Sequence, residues 1–320
     1  MTFIASVVAR DGVAIIADSL VTSSRHVIDL EDFLEYVETK SVTGSNIQLG
    51  VEELYSLFQI QDSYTRDFEE KIFEYDSFTA ITTAGNAVLN GQRITQLVSR
   101  KKARNADIAG FEYWTIEKKV ADFCLFLEEE IKEFVEANEY SIVGSTVFIF
   151  THFDRQRSDS IIFKIETVEC SSETYKMPGF TAVPIPVRES AKIVCDGQNR
   201  ISNGIIYGGI ETVIKSVNKT IGLLITDYGF DGSLIDDSAK GKIFRDCVEL
   251  IDEDIQLKKL SELSLQQAVD LAALLMRIEI DFQKYTANIP TVGGLVKIAT
   301  INNGGFRFVT GHRIIRPAWM

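Results

Sequence analysis

The stretch Thr2–Thr22, TFIASVVARDGVAIIADSLVT, decides how the chain begins to fold. Residues 2–9 are apolar and rich in β-branched side chains, which fit a pleated surface. Asp11-Gly12 follows, a dipeptide that accepts the positive φ angles of a tight hairpin turn. Residues 13–17 form a second apolar run, closed by Asp18-Ser19. Neither run alternates apolar with polar residues, so both strands of this hairpin are predicted to be buried on two faces.

Downstream, helical spacing of apolar residues predicts short amphipathic helices over 29–38 and 51–60. A second hairpin is expected over 71–75 and 78–83, turning at Asp76-Ser77. Ala84-Gly85-Asn86 then reads as the opening of a helix to about Arg100, and a longer helix is expected over 114–138. Strands are expected at 145–151, 159–167, 173–177 and 192–195, with a three-proline loop at 178–188. Helical pattern dominates 199–217, 240–257 and 264–285, and the last strands are expected at 295–301 and 305–311. Strands and helices come in runs rather than in βαβ alternation, which predicts antiparallel sheets with helices segregated to their outer faces.

Composition narrows the function classes. The 320 residues are 45% hydrophobic and 25% charged, enough apolar material for a sizeable core. A net charge of −13 opposes binding to a phosphate backbone, so nucleic acid is excluded as a partner class. No apolar run has the roughly 18–20 residues of a membrane span, and the first residues lack the basic and apolar regions of a signal peptide. Cys124, Cys170, Cys195 and Cys247 are far apart without CxxC spacing, which predicts reduced thiols in a cytoplasmic protein. His26, His152 and His312 form no metal-binding pattern. Asp227, Asp231, Gly232, Asp236 and Asp237 lack the ligand spacing of a calcium loop, so no metal or cofactor is expected.

Two blocks of this sequence resemble the proteasome β-subunits and the related bacterial two-ring peptidase, which are N-terminal-nucleophile (Ntn) hydrolases. The first is Thr2–Thr22, with an initial Thr, a Gly turn and Ala-Asp-Ser after the second strand. The second is Lys71-Ile72-Phe73-Glu74 through Thr83-Ala84-Gly85-Asn86-Ala87. Thr2 and Asp18 are 16 residues apart and Lys71 and Gly85 are 14 apart, both without a gap against the family pattern. Thr146 to Asp154 and the long helix ending in Val292-Gly293-Gly294 are similar to later family segments.

The resemblance implies an α+β fold, a four-layer αββα sandwich of two antiparallel sheets flanked by helices. It implies one domain over 1–320, enlarged by a helical insertion at about 25–66 and an acidic, helical expansion at about 220–262. It also implies a threonine peptidase that hydrolyses a peptide or amide substrate, assembles as a homo-oligomer, with a ring as one such form, and needs no cofactor. A small-molecule amidase of the same superfamily and a catalytically silent structural subunit are the alternative readings.

The chemistry fits these residue types. A threonine hydroxyl needs a base, and a chain starting at Thr2 after loss of Met1 supplies its own α-amine, with a pKa of roughly 7.7–8.0. The resemblance makes Lys71 the cation beside the hydroxyl, Asp18 the carboxylate that orients Lys71, and Gly85, at a helix start, the oxyanion donor. Asp196 stands where the family carries a serine that touches the nucleophile's amine. Val21, Phe73, Thr83 and Ala87 would line an apolar side-chain pocket, and Thr22 would pair with substrate backbone as an added strand.

Overall fold

The computed structural model describes residues 2–40, 57, 59–138, 142–171, 184–206, 210–232, 239, 241–242, 260–286 and 290–310. Among these, the strands in chain order are β1 (Phe3–Ala9), β2 (Gly12–Ala17), β3 (Leu20–Val27), β4 (Gln59–Phe68), β5 (Ile72–Asp76), β6 (Thr79–Gly85), β7 (Val88–Leu89), β8 (Gln92–Arg93), β9 (Ile142–Val143), β10 (Thr146–Asp154), β11 (Asp159–Thr167), β12 (Cys170–Ser171), β13 (Ile185–Glu189), β14 (Ile193–Gly197), β15 (Lys297–Asn302) and β16 (Gly305–Thr310). The helices are α1 (Leu30–Lys40), α2 (Ile94–Ala106), α3 (Ile116–Ala137), α4 (Arg200–Ile206), α5 (Ile210–Thr226) and α6 (Leu265–Thr286).

The architecture is mixed α+β, built on two five-stranded antiparallel sheets. One runs β14-β1-β2-β15-β16 and the other β13-β11-β10-β6-β5. Every residue of β1 and β2 is buried, as their unbroken apolar runs require. Alternation along β1 sends Ile4 and Val8 into a core shared with Ile72, Ile149 and Ile162 of the second sheet. Phe3, Ala5 and Val7 point the other way, into a core with Ala268, Ala272 and Met276 of α6. A third core joins the far face of the second sheet to α2 and α3 and is aromatic: Tyr75, Phe123, Phe148 and Phe150 pack edge to face with centroids 4.9–5.3 Å apart for three of their pairs. Between the sheets, Ser6 and Thr151 satisfy each other through a 2.8 Å hydrogen bond. No helix among the described residues is long and apolar enough to cross a membrane.

Several expectations need correction. The helix expected after Gly85 begins only at Ile94, because β7 and β8 form a small hairpin first. Its turn is Asn90-Gly91, with φ of +51° and +66°, two positive angles that a helix cannot accommodate. The loop expected at 178–188 contains β13 in its described part; Pro186 is tolerated there because β13 is a sheet edge. The insertion at 25–66 is not only helical: β3 and β4 pair as a two-stranded ribbon, with α1 following β3. Residue 59 already belongs to β4, so a helix over 51–60 does not reach its expected end, and residues 51–56 lie outside the described residues. The helix expected over 199–217 corresponds to α4 and α5, and residues 207–209 between them lie outside the described residues. The strand expected at 173–177, most of the helix at 240–257 and Cys247 also lie outside the described residues.

Candidate active site

The site forms where the first strand of each sheet starts. Thr2 immediately precedes β1, Asp18 ends the hairpin strand beside it, and Lys71 immediately precedes β5 in the other sheet. All three are buried, at 2%, 2% and 7% exposure. The Thr2 hydroxyl donates to Asp18 Oδ1 and accepts from Lys71 Nζ. Lys71 Nζ also donates to Asp18 Oδ1 at 2.9 Å and to the Leu20 carbonyl at 2.7 Å. An ammonium has three protons, and here it meets three acceptors.

Asp18 is held on both oxygens. Oδ1 accepts the Phe3 amide at 3.1 Å, and Oδ2 accepts the amides of Leu20 at 3.3 Å and Gly293 at 3.0 Å. Backbone donors of this kind replace the water that a buried carboxylate has lost. Burial pushes Lys71 below its ordinary 10.5; the charge and hydrogen bond of Asp18, with Glu69 further off, pull in the opposite direction. A buried ion pair contributes little as scaffold, since desolvation offsets most of its attraction.

Two glycines shape the surroundings. Gly85 has φ +97°, and a Cβ there would lie 2.6 Å from the Ser145 carbonyl. It ends β6 rather than starting a helix, so the helix dipole expected at its amide is absent. The Thr83 amide donates to the Lys71 carbonyl at 3.2 Å, and strand alternation turns the Gly85 amide, two residues on, toward the same edge. That edge lies past the start of β5. Gly197 has φ +85°, and a Cβ there would collide with the Thr2 carbonyl, which accepts the Gln198 amide at 2.6 Å. Gly197 was not among the expected site residues; Asp196-Gly197 after an apolar run is the signal in the sequence for such a special backbone position.

Asp196 stands near the end of β14, beside β1. Its carboxylate pairs with Lys164 at 2.5 Å and accepts the Gly197 amide at 2.5 Å. Burial pulls the Lys164 ammonium down, but Asp196, with Glu166 and Glu189, outweighs it and holds Lys164 above its ordinary value. The backbone of Asp196 pairs with Ile4 of β1, two residues from Thr2. Met1 lies outside the described residues.

The expected pocket residues divide. Phe73 and Thr83 are buried on the helix-covered side of their sheet, where Phe73 belongs to the aromatic core. Val21 and Ala87 are half-buried, and the backbone of Thr22 pairs with Tyr64 in the β3–β4 ribbon. A cavity of ≈ 400 Å³ opens among the chain neighbours of Asp18 and Lys71, lined by Ser19, Glu69, Glu70, Arg93, Gln96 and Lys297 among others. Glu69 pairs with Arg93 at 2.8 Å and accepts from Thr95 at 3.1 Å, and Glu70 pairs with Lys297. Its lining carries both acidic and basic side chains, and the four residues expected to line a side-chain pocket are not among those that border it. Strand alternation turns Ile72 to the core between the sheets and Phe73 to the opposite core.

Among the described residues no three His, Cys, Asp or Glu side chains converge in a group that could hold a metal ion. What the arrangement can do chemically is polarise one hydroxyl between a cation and a carboxylate, with a backbone amide directed to the neighbouring edge. No protein-family model matches the chain, and no curated protein matches it in sequence.

Proposed function

We propose that this protein is an Ntn hydrolase of the proteasome-like threonine peptidase group, with the four-layer αββα sandwich of that fold. The observation that carries the reading is the buried contact of the Thr2 hydroxyl with both Lys71 and Asp18. The two antiparallel sheets and the three separate cores are compatible with the sandwich.

In the proposed reaction, Thr2 is the first residue of the processed chain. Its α-amine takes the hydroxyl proton as Oγ1 attacks the substrate carbonyl carbon. Lys71, oriented by Asp18, stabilises the developing alkoxide, and the Gly85 amide donates to the oxyanion. The carbon–nitrogen bond breaks, the leaving amine takes the proton, and an ester remains on Oγ1. Water, deprotonated by the same α-amine, then adds to the ester carbonyl and releases the acid.

Intact mass spectrometry tests this directly. A peptide epoxyketone, which needs both the hydroxyl and the free amine, is expected to add one inhibitor mass to the wild-type chain and none to Thr2→Ala. A chain that begins at Thr2 and gains no mass would remove the reading.

The rate of acylation is expected to be bell-shaped in pH. It rises as the α-amine loses its proton at about 8. It falls again as Lys71 loses its proton, and because burial disfavours the ammonium this second limb comes below 10.5. Acylation rates followed over pH 6–11 with a β-lactone check both limbs; an alkaline limb at or above 10.5 would contradict the buried cation.

A further inference from the structure

We infer that Gln283 of α6 is a positioning residue, which holds the Asp18 carboxylate through the segment Thr291–Gly293. The inference rests on the reading of Thr2 as the nucleophile. Gln283 is 7% exposed near the end of a helix whose other buried residues are mostly apolar. Its Oε1 accepts the Thr291 amide at 2.7 Å, the Thr291 hydroxyl at 3.2 Å and the Val292 amide at 3.1 Å. Both amides belong to buried residues, where an unpaired N–H is unfavourable, so one side-chain oxygen sets the path of this segment.

The next residue connects it to the site. The Gly293 amide donates to Asp18 Oδ2 at 3.0 Å, and the Gly293 carbonyl accepts the amides of Ser19 and Leu20 at 3.2 and 3.1 Å. The Leu20 carbonyl is in turn an acceptor for Lys71. Two bonds therefore separate Gln283 from the carboxylate, and three from the ammonium. Gln283 touches none of the three reacting or charged groups. Its removal acts through geometry, and displacement of a catalytic group by about 1 Å can lower a rate on the order of 100-fold.

Two variants of the full-length chain separate the possibilities. Gln283→Leu keeps the shape and loses the acceptor, whereas Gln283→Glu keeps an acceptor. Two readouts are needed: amide hydrogen exchange at Leu20 and Gly293, and the rate and half-saturation of Thr2 labelling by a β-lactone. In Gln283→Leu, exchange at both amides is expected to speed at least about 10-fold while the amides of β1 and β2 keep their protection. Labelling slows by about 10- to 100-fold at unchanged half-saturation, and Gln283→Glu retains most of both. Unchanged exchange in Gln283→Leu overturns the inference whatever the labelling does. Faster exchange with unchanged labelling overturns it as well. If the wild type itself fails to label, the reading of Thr2 fails, and the exchange comparison alone decides whether Gln283 anchors Asp18.

Discussion

Asp18→Asn is expected to lower the stability of the protein by about 3–5 kcal/mol and to abolish labelling of Thr2 in a single step. The carboxylate is the counter-ion of an ammonium that is 7% exposed, and it accepts the amides of Phe3, Leu20 and Gly293. An amide in its place leaves the Lys71 charge buried and unpaired. It also turns one of the two acceptor atoms into a donor facing other donors, which adds a desolvation penalty. The double variant Asp18→Asn/Lys71→Met removes the unpaired charge, so stability is expected to return toward that of the wild type while Thr2 remains unlabelled. Urea unfolding midpoints and intact mass of the three proteins check this. Equal midpoints for Asp18→Asn and the wild type would show that the pair is not the buried one described.

Gly197→Ala is the second large effect. The position has φ +85°, which disfavours any L side chain by roughly 1–2 kcal/mol. The added methyl also collides with the Thr2 carbonyl, and overpacking adds about 1–3 kcal/mol. Because β14 pairs with β1 at Gly197 and Phe3, relieving the clash parts the two strands at the position of Thr2. A loss of about 2–5 kcal/mol is expected together with at least 100-fold slower labelling. Gly91→Ala is the control. It too has positive φ, +66°, but nothing lies within 4 Å of the added methyl. It is expected to lose only about 1–2 kcal/mol and to label at the wild-type rate. Denaturant unfolding and labelling kinetics on both variants measure the difference; equal losses in the two would mean that strain, not the contact with Thr2, accounts for the effect.

The core strands and the charged cluster were legible in the sequence for different reasons. Unbroken apolar runs such as Phe3–Ala9 and Gly12–Ala17 can be buried only between two layers, and both are. The expected helix at 114–138 is α3, for which Thr115 supplies the N-cap by accepting the Lys118 amide. Thr2, Asp18 and Lys71 were singled out through resemblance and spacing, and the fold joins them because each stands at a strand end on the same rim. The Asn90-Gly91 turn, which interrupts the helix expected from Ala84-Gly85-Asn86, is a local signal of the kind a hairpin uses. The prolines of 178–188 read as a loop; an edge strand such as β13, which proline permits, cannot be recognised until the neighbours of the sheet are known.

Sequence alone determined which segments must be covered on both faces and which side chains could carry a hydroxyl, a cation and a carboxylate. Those properties belong to individual residues and their near neighbours. Tertiary structure decided the rest: that Asp196 pairs with Lys164, that a cavity with charged lining residues lies beside Asp18 and Lys71, and that Gln283 governs the segment bonded to Asp18. Each of these is a pairing between residues distant in the chain, and a polar side chain's partner depends on what the packing of the sheets and helices brings within about 3 Å of it.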